Sequence, residues 1–564
     1  MSWKDSNGQT TGKVKRLVSI WAFFLVSWIS LPVLAHVGSS GVIVQKQVGN
    51  YQLLIRINPP DVVPGTAIVT VYVEQGRVSA IGARPIYFRS GDKGAPTHDV
   101  LKRIGQNQFE GDLWLMDSGS SSIELSIDGP DGKQQVIVPV VAMATALRDM
   151  PQGTGYGLAL MGLLLVVMLV TIVGASNADG IMAPGQPVPA RLGRRRWIGM
   201  VAGLLVIGLI LTGWRAWWTS TAENYRDVQL YRPMPIKTSV QVLNAQRQLT
   251  IQFDTAANRR LRRLFSYMLP DHGKLMHTFL VRIPGLDAFA HLHPARRDTL
   301  SYETALPPLP GGKYLLYSDV VFRSGFTETL TDTIEVPSLK ISAEAAAAAK
   351  PTDQDDSWLV TEPMGVKANA VNLPHLDNDM VVCGKPSATC KVADGSSMLW
   401  MDKPGPTLEA GRLYTLKFAV ADAQGKAAAL EPYLGMGGHA VILRSDGTVY
   451  IHLHPVGTYS MAAENSLLTR IADTARTFHY PDAVRFRDSI DKYVDRLNKL
   501  PEDEKNRLLS AGMPAMSHRM KAGNMVEFPY AFPKAGHYRI WVQVKRKGQI
   551  LTGVFDTQVN EPLL

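Results

Sequence analysis

Two uninterrupted apolar segments constrain this chain more than any other feature, because such segments must be covered by protein or by lipid. Residues 156–175 and 197–218 carry no charge over their central turns. About 20 apolar residues are enough to cross the ~30 Å hydrocarbon core of a bilayer. Two buried core helices are the alternative, but the length and the absence of charge favour two transmembrane helices.

The charge distribution predicts the orientation of these helices. Four arginines lie in the loop 176–196, and four other basic residues precede the first apolar run of the chain. Positively charged loops stay in the cytoplasm, so residues 36–150 and 219–564 are predicted to be external. In a bacterium they would lie in the periplasm, with the helices in the inner membrane. The net charge of +10 is explained in part by these basic residues, which set the orientation of the helices in the membrane. Nucleic acid is therefore not an expected partner.

Residues 1–35 read as a signal peptide or, alternatively, a signal anchor. The apolar run ends in Val-Leu-Ala, and small residues at these positions suit signal peptidase. Cleavage after Ala35 would make His36 the N-terminus. Its amino group and imidazole could then bind copper together with His98, as in histidine-brace sites. The alternative is that His36 follows the signal segment and has no role in binding metal.

Both external regions have the pattern of antiparallel β-sandwiches. Residues 36–150 alternate apolar and polar side chains in short runs such as "GTAIVTVYVEQ", separated by Gly, Pro and Asp turns. The predicted fold class is therefore mainly β, with Ig-like or cupredoxin-like antiparallel sandwiches as ectodomains, plus two transmembrane α-helices.

The second external region contains an internal repeat. A low-complexity stretch rich in Ala and acidic residues predicts a linker at 339–357. It separates 236–338 from 358–564. Each part has a His, a hairpin, the tetrapeptide His-Leu-His-Pro and a later aromatic strand, which predicts two copies of one β-domain. An insertion at about 460–524 in the second copy has helical spacing.

The repeated tetrapeptide ends a predicted hairpin in each copy. In the second copy, Asp446-Gly447 favours a two-residue turn, which places His439 opposite His454. Because side chains alternate between the faces of a strand, His452 shares their face. Apolar residues also occupy that face, which suggests the inside of the sandwich.

The first copy is one residue longer, and a three-residue loop at 284–286 accommodates the difference. His277 is then opposite His293, with His291 beside them. The same arrangement of three histidines therefore arises twice with different turns.

Three imidazoles on an apolar face predict a metal ion in each sandwich, because a buried polar group without a partner costs about 1–3 kcal/mol. Imidazole suits copper, zinc, iron or nickel, and methionine thioethers favour Cu(I). Copper is therefore the predicted ion, with zinc second. Further candidate ligands near the two sites are His272, Met436, Met516 and His518. Hydrated, structural histidines are the alternative.

The two cysteines of the chain, Cys383 and Cys390, are close in sequence and lie in a predicted external region. An exported pair of this kind predicts a disulfide. Two thiolate ligands for a soft metal are the alternative.

The segments "DHGKLMHTFLVRIPGLDAFAHLHP" and "GMGGHAVILRSDGTVYIHLHP" resemble exported bacterial β-sandwich domains of the YtkA-like, FixH-like and CopC-like kind. The resemblance covers about 36–145 and 236–560. It implies copper delivery, storage or tolerance, or the assembly of copper-containing oxidases, with a copper oxidase or a transporter as partner. Two membrane spans between sandwiches are not part of that pattern, so the role of the whole chain is not inherited.

Two other classes of function stay open. A protein-docking assembly or sensor subunit would use the sandwiches as surfaces and keep the histidines as structural groups. A cupin-like metalloenzyme fits the Gly-x5-His-x-His spacing of "GLDAFAHLH", although the second copy departs from it. The sequence has no G-x-S-x-G, Walker or H-E-x-x-H motif, so no enzymatic activity is expected.

Overall fold

The computed structural model describes residues 41–178, 182–183, 185–243, 246–256, 265–339, 352–364, 389–401, 408–475, 477–510 and 523–562, and the backbone of Val382–Cys383. Within these residues the chain is mainly antiparallel β-sheet with five α-helices, two of which are long and apolar. The predicted fold class is therefore confirmed. The signal segment, His36, Met516 and His518 lie outside the described residues.

The first sandwich consists of nine strands in two sheets, of order β1-β2-β3-β7-β6 and β5-β4-β8-β9. The strands are β1 Val42–Val48, β2 Tyr51–Asn58, β3 Gly65–Gln75, β4 Ala80–Tyr87, β5 Asp99–Val100, β6 Lys102–Gly105, β7 Gln108–Leu115, β8 Gly119–Asp128 and β9 Gln134–Ala142. A single 3₁₀ turn, Asp92–Gly94, follows β4. Alternate residues of β3 are buried, which is the period of two that the sequence shows.

Two helices follow, α1 Gln152–Ala178 and α2 Ala190–Asn224, and α2 continues into a π-helical turn, Tyr225–Gln229. Both are long and apolar enough to cross a membrane, and none of the apolar window of α2 is buried inside the protein. They pack on each other, with Gly174 against Met200. Apolar side chains that protein leaves uncovered are those that lipid would cover.

The second sandwich is built from two sheets. Its strands are β10 Ile236–Leu243, β11 Gln246–Phe253, β12 Met268–Leu269, β13 His277–Arg282, β14 Ala288–Leu292, β15 Ala295–Arg296, β16 Ser301–Leu306, β17 Gly312–Phe322, β18 Thr327–Val336, β19 Ser357–Thr361 and β20 Val382–Cys383. The outer sheet has the order β10-β11-β16-β15. The inner sheet has the order β12-β17-β13-β14-β19-β20, with β18 also paired to β17. A 3₁₀ turn, Phe265–Tyr267, precedes β12.

The boundary predicted after the second sandwich is wrong. Residues 357–361 were expected at the junction of the linker and the third domain, but they form β19 and pair with β14. The strand adds main-chain hydrogen bonds to an edge of the inner sheet that would otherwise be unpaired. The second sandwich therefore includes a strand from beyond the low-complexity stretch.

The third sandwich also has two sheets, and it carries the helical insertion between β26 and β27. Its strands are β21 Thr389–Lys391, β22 Ser397–Met401, β23 Leu408–Glu409, β24 Leu413–Ala421, β25 His439–Arg444, β26 Tyr450–Leu453, β27 Met525–Ala531, β28 Gly536–Arg546 and β29 Gln549–Asn560. The outer sheet has the order β21-β22-β24-β27, and the inner sheet β23-β29-β28-β25-β26.

Three helices occupy the insertion, α3 Met461–Ala472, α4 Ala483–Lys499 and α5 Glu502–Ser510. The side chains of Ser460 and Asp482 accept hydrogen bonds from main-chain N–H groups in the first turns of α3 and α4. Such N-caps satisfy donors that have no partner within the helix. They explain where both helices begin.

The second and third sandwiches are two copies of one arrangement. The inner sheets share the order β18-β17-β13-β14 and β29-β28-β25-β26. A tight turn precedes the central strand in each copy, closed by paired main-chain hydrogen bonds between Asp271 and Lys274 and between Tyr433 and Met436. Both turns need two residues with positive φ, and each supplies a glycine at the second position, with φ of 81° at Gly273 and 76° at Gly435.

The two inner sheets pack face to face, so this region has four stacked β layers. Phe289 stacks on Trp541 with ring centroids 4.9 Å apart, and Tyr317 stacks on Tyr450 at 4.1 Å. The strand registers make Phe289 equivalent to Tyr450, and Tyr317 equivalent to Trp541. Each copy thus contacts the other through the same pair of positions, which is the signature of an approximate two-fold axis.

The first sandwich packs against the third. Gln45 N donates to Val456 O at 2.9 Å, and Lys46 Nζ lies 2.5 Å from Glu464 Oε1 in α3. Met436 and Tyr459 of the third sandwich are buried among the apolar side chains of the first. The three sandwiches therefore meet around the tight turns and the ends of the histidine hairpins.

The stacked aromatic pairs should hold the two inner sheets together. We expect Trp541→Ala to lower the free energy of unfolding by about 3–5 kcal/mol, as for other large-to-small core substitutions. Urea unfolding of the detergent-solubilised full chain, followed by far-UV circular dichroism, measures this. Trp114→Ala is the control, because Trp114 is 60% exposed and its loss should change stability by no more than about 0.5 kcal/mol. Equal urea midpoints for the two variants would contradict this role of the stack.

Candidate metal centre

The register predicted for both histidine hairpins is confirmed, although the turns are wider than expected. Val441 pairs with His452, and the same register places His439 opposite His454. The turn spans residues 445–448, with only Gly447 at positive φ, rather than two residues in a type I′ turn. The turn is longer than predicted by one residue on each strand. The pairing register is therefore unchanged, and each side chain stays on the predicted face of the sheet.

The first copy behaves in the same way. Phe279 pairs with His291, which places His277 opposite His293. Its loop spans residues 283–287 and is closed by the main-chain hydrogen bond from Leu286 N to Arg282 O. The sequence suggested that the histidine-bearing faces point into the core of each sandwich, but this is not what the structure has. They face each other between the two inner sheets.

This packing brings both sets of histidines into one histidine cluster. Its seven members are His272, His277, His291, His293, His439, His452 and His454. Ring centroids of neighbouring members are as little as 4.5 Å apart, between His291 and His293. Four members come from the second sandwich and three from the third. The two predicted sets of histidines are therefore neighbours in one cluster between the inner sheets, rather than lying in the cores of two separate sandwiches.

Two groups within the cluster have the spacing of a metal-ligand set. One ring nitrogen from each of His277, His291 and His293, the first triad, lies within 4.8 Å of the other two. The same holds for His272, His439 and His454, the mixed triad. His272 was expected beside the first site, but its turn carries it to the third sandwich's histidines. His452 belongs to neither triad, and its Nδ1 lies 3.4 Å from Asp319 Oδ2.

Hydrogen bonds orient four of the rings. The donors and acceptors are His277 Nε2 to Asp271 O (3.0 Å), His291 Nδ1 to Gln543 Oε1 (2.9 Å), His293 Nδ1 to Asp356 Oδ1 (3.0 Å) and His454 Nδ1 to Tyr459 O (3.0 Å). Each oxygen can only accept, so each ring must place its proton on that nitrogen. The other nitrogen of each neutral ring then carries a lone pair. This is how protein groups commonly orient metal-binding histidines.

Many of the remaining nitrogens have no partner. The buried, unpartnered atoms are His272 Nε2, His293 Nε2, both ring nitrogens of His439, His452 Nε2 and His454 Nε2. His277 Nδ1 lies 3.2 Å from His291 Nε2, and the hydrogen bonds to Asp271 and Gln543 leave both as acceptors. Ligand nitrogens 2.0–2.1 Å from one tetrahedral ion are roughly 3.3 Å apart. A cation between the rings would satisfy these lone pairs.

Burial also favours the neutral form of six of the imidazoles. It lowers the pKa of six of the rings, with neighbouring titratable groups adding to or opposing the effect: His272, His277, His291, His439, His452 and His454, the last to about 4. A neutral imidazole has a free lone pair and is the form that binds metal. The cluster is therefore ready to bind a cation near neutral pH.

A charged network that sequence reasoning missed closes one side of the cluster. Asp353, Asp355 and Asp356 lie in the predicted linker, yet Asp355 and Asp356 are buried and Asp356 bonds to His293. Lys274 Nζ lies 2.6 Å from Asp353 Oδ1, and Lys505 Nζ of α5 lies 2.7 Å from Asp355 Oδ2. The signal that could have located them is their position immediately before the apolar strand β19. The two lysines balance two of the three carboxylate charges, and the third carboxylate, that of Asp356, bonds to His293.

The opposite side of the cluster borders a cavity of about 320 Å³. Asp319, His277, His452 and His454 line it. Tyr231 also lines it, as do three residues that precede α1, Val141, Met143 and Thr145. Ala144 forms a β-bridge with Leu230, just beyond α2. The cavity therefore lies where the sandwiches join the two apolar helices.

Other predicted ligands lie elsewhere or lack a described position. Met436 is fully buried among apolar side chains of the first and third sandwiches, where its side chain contributes to the packing of the core. Its role as a metal ligand stays a prediction. His98 Nε2 lies 2.8 Å from Glu124 Oε1. No cysteine is free among the described residues, but the side chain of Cys383 is outside them, so its disulfide with Cys390 stays a prediction.

Comparison with known proteins gives limited information. The profile of a family described as "Domain of unknown function (DUF8832)" matches residues 391–480, which include the hairpin of the third sandwich. No curated protein matches the chain.

Solved structures with detectable similarity include a tetra-tandem repeat in the extending region of a large adhesion protein, at 8% identity and a TM-score of 0.14, covering 89% of this chain and 72% of that one. They also include a Salmonella alpha-2-macroglobulin mutant at 9% identity and a TM-score of 0.17, covering 91% of this chain and 24% of that one. Scores this low support no argument about function.

Acid should destabilise the metal-free protein. An unfolded histidine binds a proton near pH 6.5, whereas folded His454 does so only near pH 4. Between these values the unfolded chain binds more protons, so stability is fully present above about pH 6.5 and is lost as the pH falls. Each such histidine contributes at most about 1.4 kcal/mol per pH unit. Burial raises the pKa of Asp319 to about 6 and that of Glu328 to about 7, which opposes the effect.

Melting temperatures of the metal-free full chain between pH 7.5 and 4.5 measure this balance. Six histidines with lowered pKa outnumber the two carboxylates, so the melting temperature should fall steeply with acid. His454→Gln should give a shallower dependence, and His537→Gln, at an exposed position, should not. A melting temperature that is independent of pH would contradict the lowered pKa of the buried imidazoles.

Proposed function

We propose that this chain is a membrane-anchored metal-binding protein whose histidine cluster holds copper, with zinc as the second choice. The observation that carries the proposal is the arrangement of buried imidazoles as two triads, in which four of the six rings have a nitrogen without a hydrogen-bond partner. Each orphaned nitrogen costs about 1–3 kcal/mol if nothing binds it. Seven imidazoles suit copper or zinc, and Cu²⁺ binds most strongly among the divalent first-row metals.

The location follows from the two apolar helices and from the arginines at the start of α2. Positively charged ends stay in the cytoplasm, so the three sandwiches lie on the other side, in the periplasm of a bacterium with the helices in its inner membrane. The protein then acts in copper delivery, storage or tolerance, with a copper oxidase or a transporter as partner. The resemblance to copper-handling β-sandwich domains supports this role.

Metal content tests the proposal directly. We expect the full chain in detergent, stripped with a chelator and then loaded with Cu(II) or Zn(II), to retain about two ions, one for each triad. Inductively coupled plasma mass spectrometry gives the stoichiometry. A double variant, His291→Ala with His293→Ala, should lose about one ion, and exposed His537→Ala should lose none. A wild-type chain that retains no metal would remove the proposal and favour a protein-docking or sensor subunit.

A second measurement separates a shared centre from one site in each sandwich. His272 belongs to the second sandwich but completes the triad with His439 and His454 of the third. We expect His272→Gln to remove the same ion as His439→Gln, because both variants leave that triad with two ligands. If His272→Gln instead removed the ion that depends on His291, the grouping by sandwich would be correct.

Bound metal should also stabilise the fold. A ligand that binds only the folded state at 100 times its Kd adds about 2.7 kcal/mol of stability. The melting temperature of the wild-type chain should therefore rise on loading, and that of the His291→Ala and His293→Ala double variant should rise less. Turnover of a redox substrate by the loaded protein would revive the cupin-like metalloenzyme as an alternative.

A further inference from the structure

His452 is the one cluster member that the two triads do not use. Its side chain is only 6% exposed, and its Nε2 has no partner. Its Nδ1 lies 3.4 Å from Asp319 Oδ2, and both residues line the cavity. An imidazole and a carboxylate held together are two of the ligand types that first-row metals accept.

The approximate two-fold axis supplies a comparison for this pair. His277 pairs with Asp319 on β17, and His439 pairs with Gln543 on β28, so Asp319 and Gln543 occupy equivalent positions. Gln543 of the third sandwich bonds to His291 of the second, and Asp319 of the second lies beside His452 of the third. Each of the two side chains therefore contacts a histidine of the other copy. The repeat thus places equivalent contacts between the two copies on both sides of the cluster. Only the Asp319 side has a carboxylate.

The two sides differ in access as well as in charge. Gln543 and His291 are 0% exposed, and Gln543 also bonds to Ser357. The Asp319 side chain is 24% exposed and borders the cavity. Its oxygens accept hydrogen bonds from Thr329 Oγ1 and from the hydroxyl of Tyr450, which hold the carboxylate in place. Solvent and ions therefore reach the cluster from the Asp319 side.

We propose that Asp319 and His452 form a transfer site, through which metal ions pass between the cavity and the two triads. This inference rests on the proposed function. A site with two protein ligands binds an ion more weakly than a triad does, and a carboxylate at the end of a cavity attracts cations. Both properties suit a position that an ion occupies briefly. The residues that join the sandwiches to the apolar helices line the same cavity, so ions are exchanged next to the membrane surface.

The rate of metal uptake tests the transfer site. Chelator-stripped full chain in detergent is mixed with Cu(II), and the protein-bound fraction is followed by stopped-flow competition with a coloured chelator. We expect Asp319→Asn, which keeps the shape of the side chain, to load at least about tenfold more slowly, because the attraction of a charged group changes association rates by 10-fold or more. His452→Gln should slow loading in the same way.

Glu328→Gln is the matched control. Glu328 lines the same cavity, but its carboxylate accepts hydrogen bonds from Met234 N and Tyr231 Oη rather than facing a histidine of the cluster. It should load at the wild-type rate. Circular dichroism and the melting temperature of each variant confirm that it is folded before its rate is compared.

The outcomes separate the two proposals. If wild type binds metal and both Asp319→Asn and His452→Gln load at its rate, the transfer site is wrong and the metal centre stands. If Asp319→Asn loses bound metal at equilibrium, Asp319 is a permanent ligand and the transfer site is again wrong. If wild type binds no metal, the proposed function itself fails. Equal slowing in Glu328→Gln would overturn the assignment to Asp319 and His452 in favour of the overall charge of the cavity.

Discussion

The burial of seven imidazoles between two β-sheets is the constraint on which the rest of this structure depends. Each unpartnered nitrogen works against the packing, so the sheets need strong contacts around the histidines. The stacks of Phe289 on Trp541 and of Tyr317 on Tyr450 provide them on both sides. A bound cation would turn the unfavourable nitrogens into ligands, and its binding energy would then add to the pairing of the two sandwiches.

The repeat explains why the cluster is arranged as it is. Two copies of one sandwich meet across an approximate two-fold axis, so every histidine contributed by one copy has a counterpart in the other, except His272, whose equivalent is Leu434. The departures from symmetry are the informative positions. His272 is the third histidine of the mixed triad, and Asp319 stands where the other copy has Gln543. The two sides of the cluster therefore differ in chemistry.

The sequence predicted the strands, both apolar helices and the hairpin registers, because periods of two and of 3.6 residues are local properties. It predicted the face on which His277, His291 and His293 lie, but not what covers that face. Which sheet packs on it depends on contacts between residues far apart in the sequence, such as Phe279 with His452. The same limit applies to Asp356, whose acidic neighbours have the composition of a linker although it is buried and bonds to His293.

A metal ion held between the two sandwiches, as we propose, could be exchanged in two ways, and the geometry distinguishes them. Separating the inner sheets would break both aromatic stacks, and opening the far side would also break the buried contact of Lys505 with Asp355. Removing one partner of a buried pair costs about 3–5 kcal/mol. Passage along the cavity past Asp319 leaves all of these contacts in place. An ion bound as proposed would therefore exchange more easily on the cavity side, without separation of the two sandwiches.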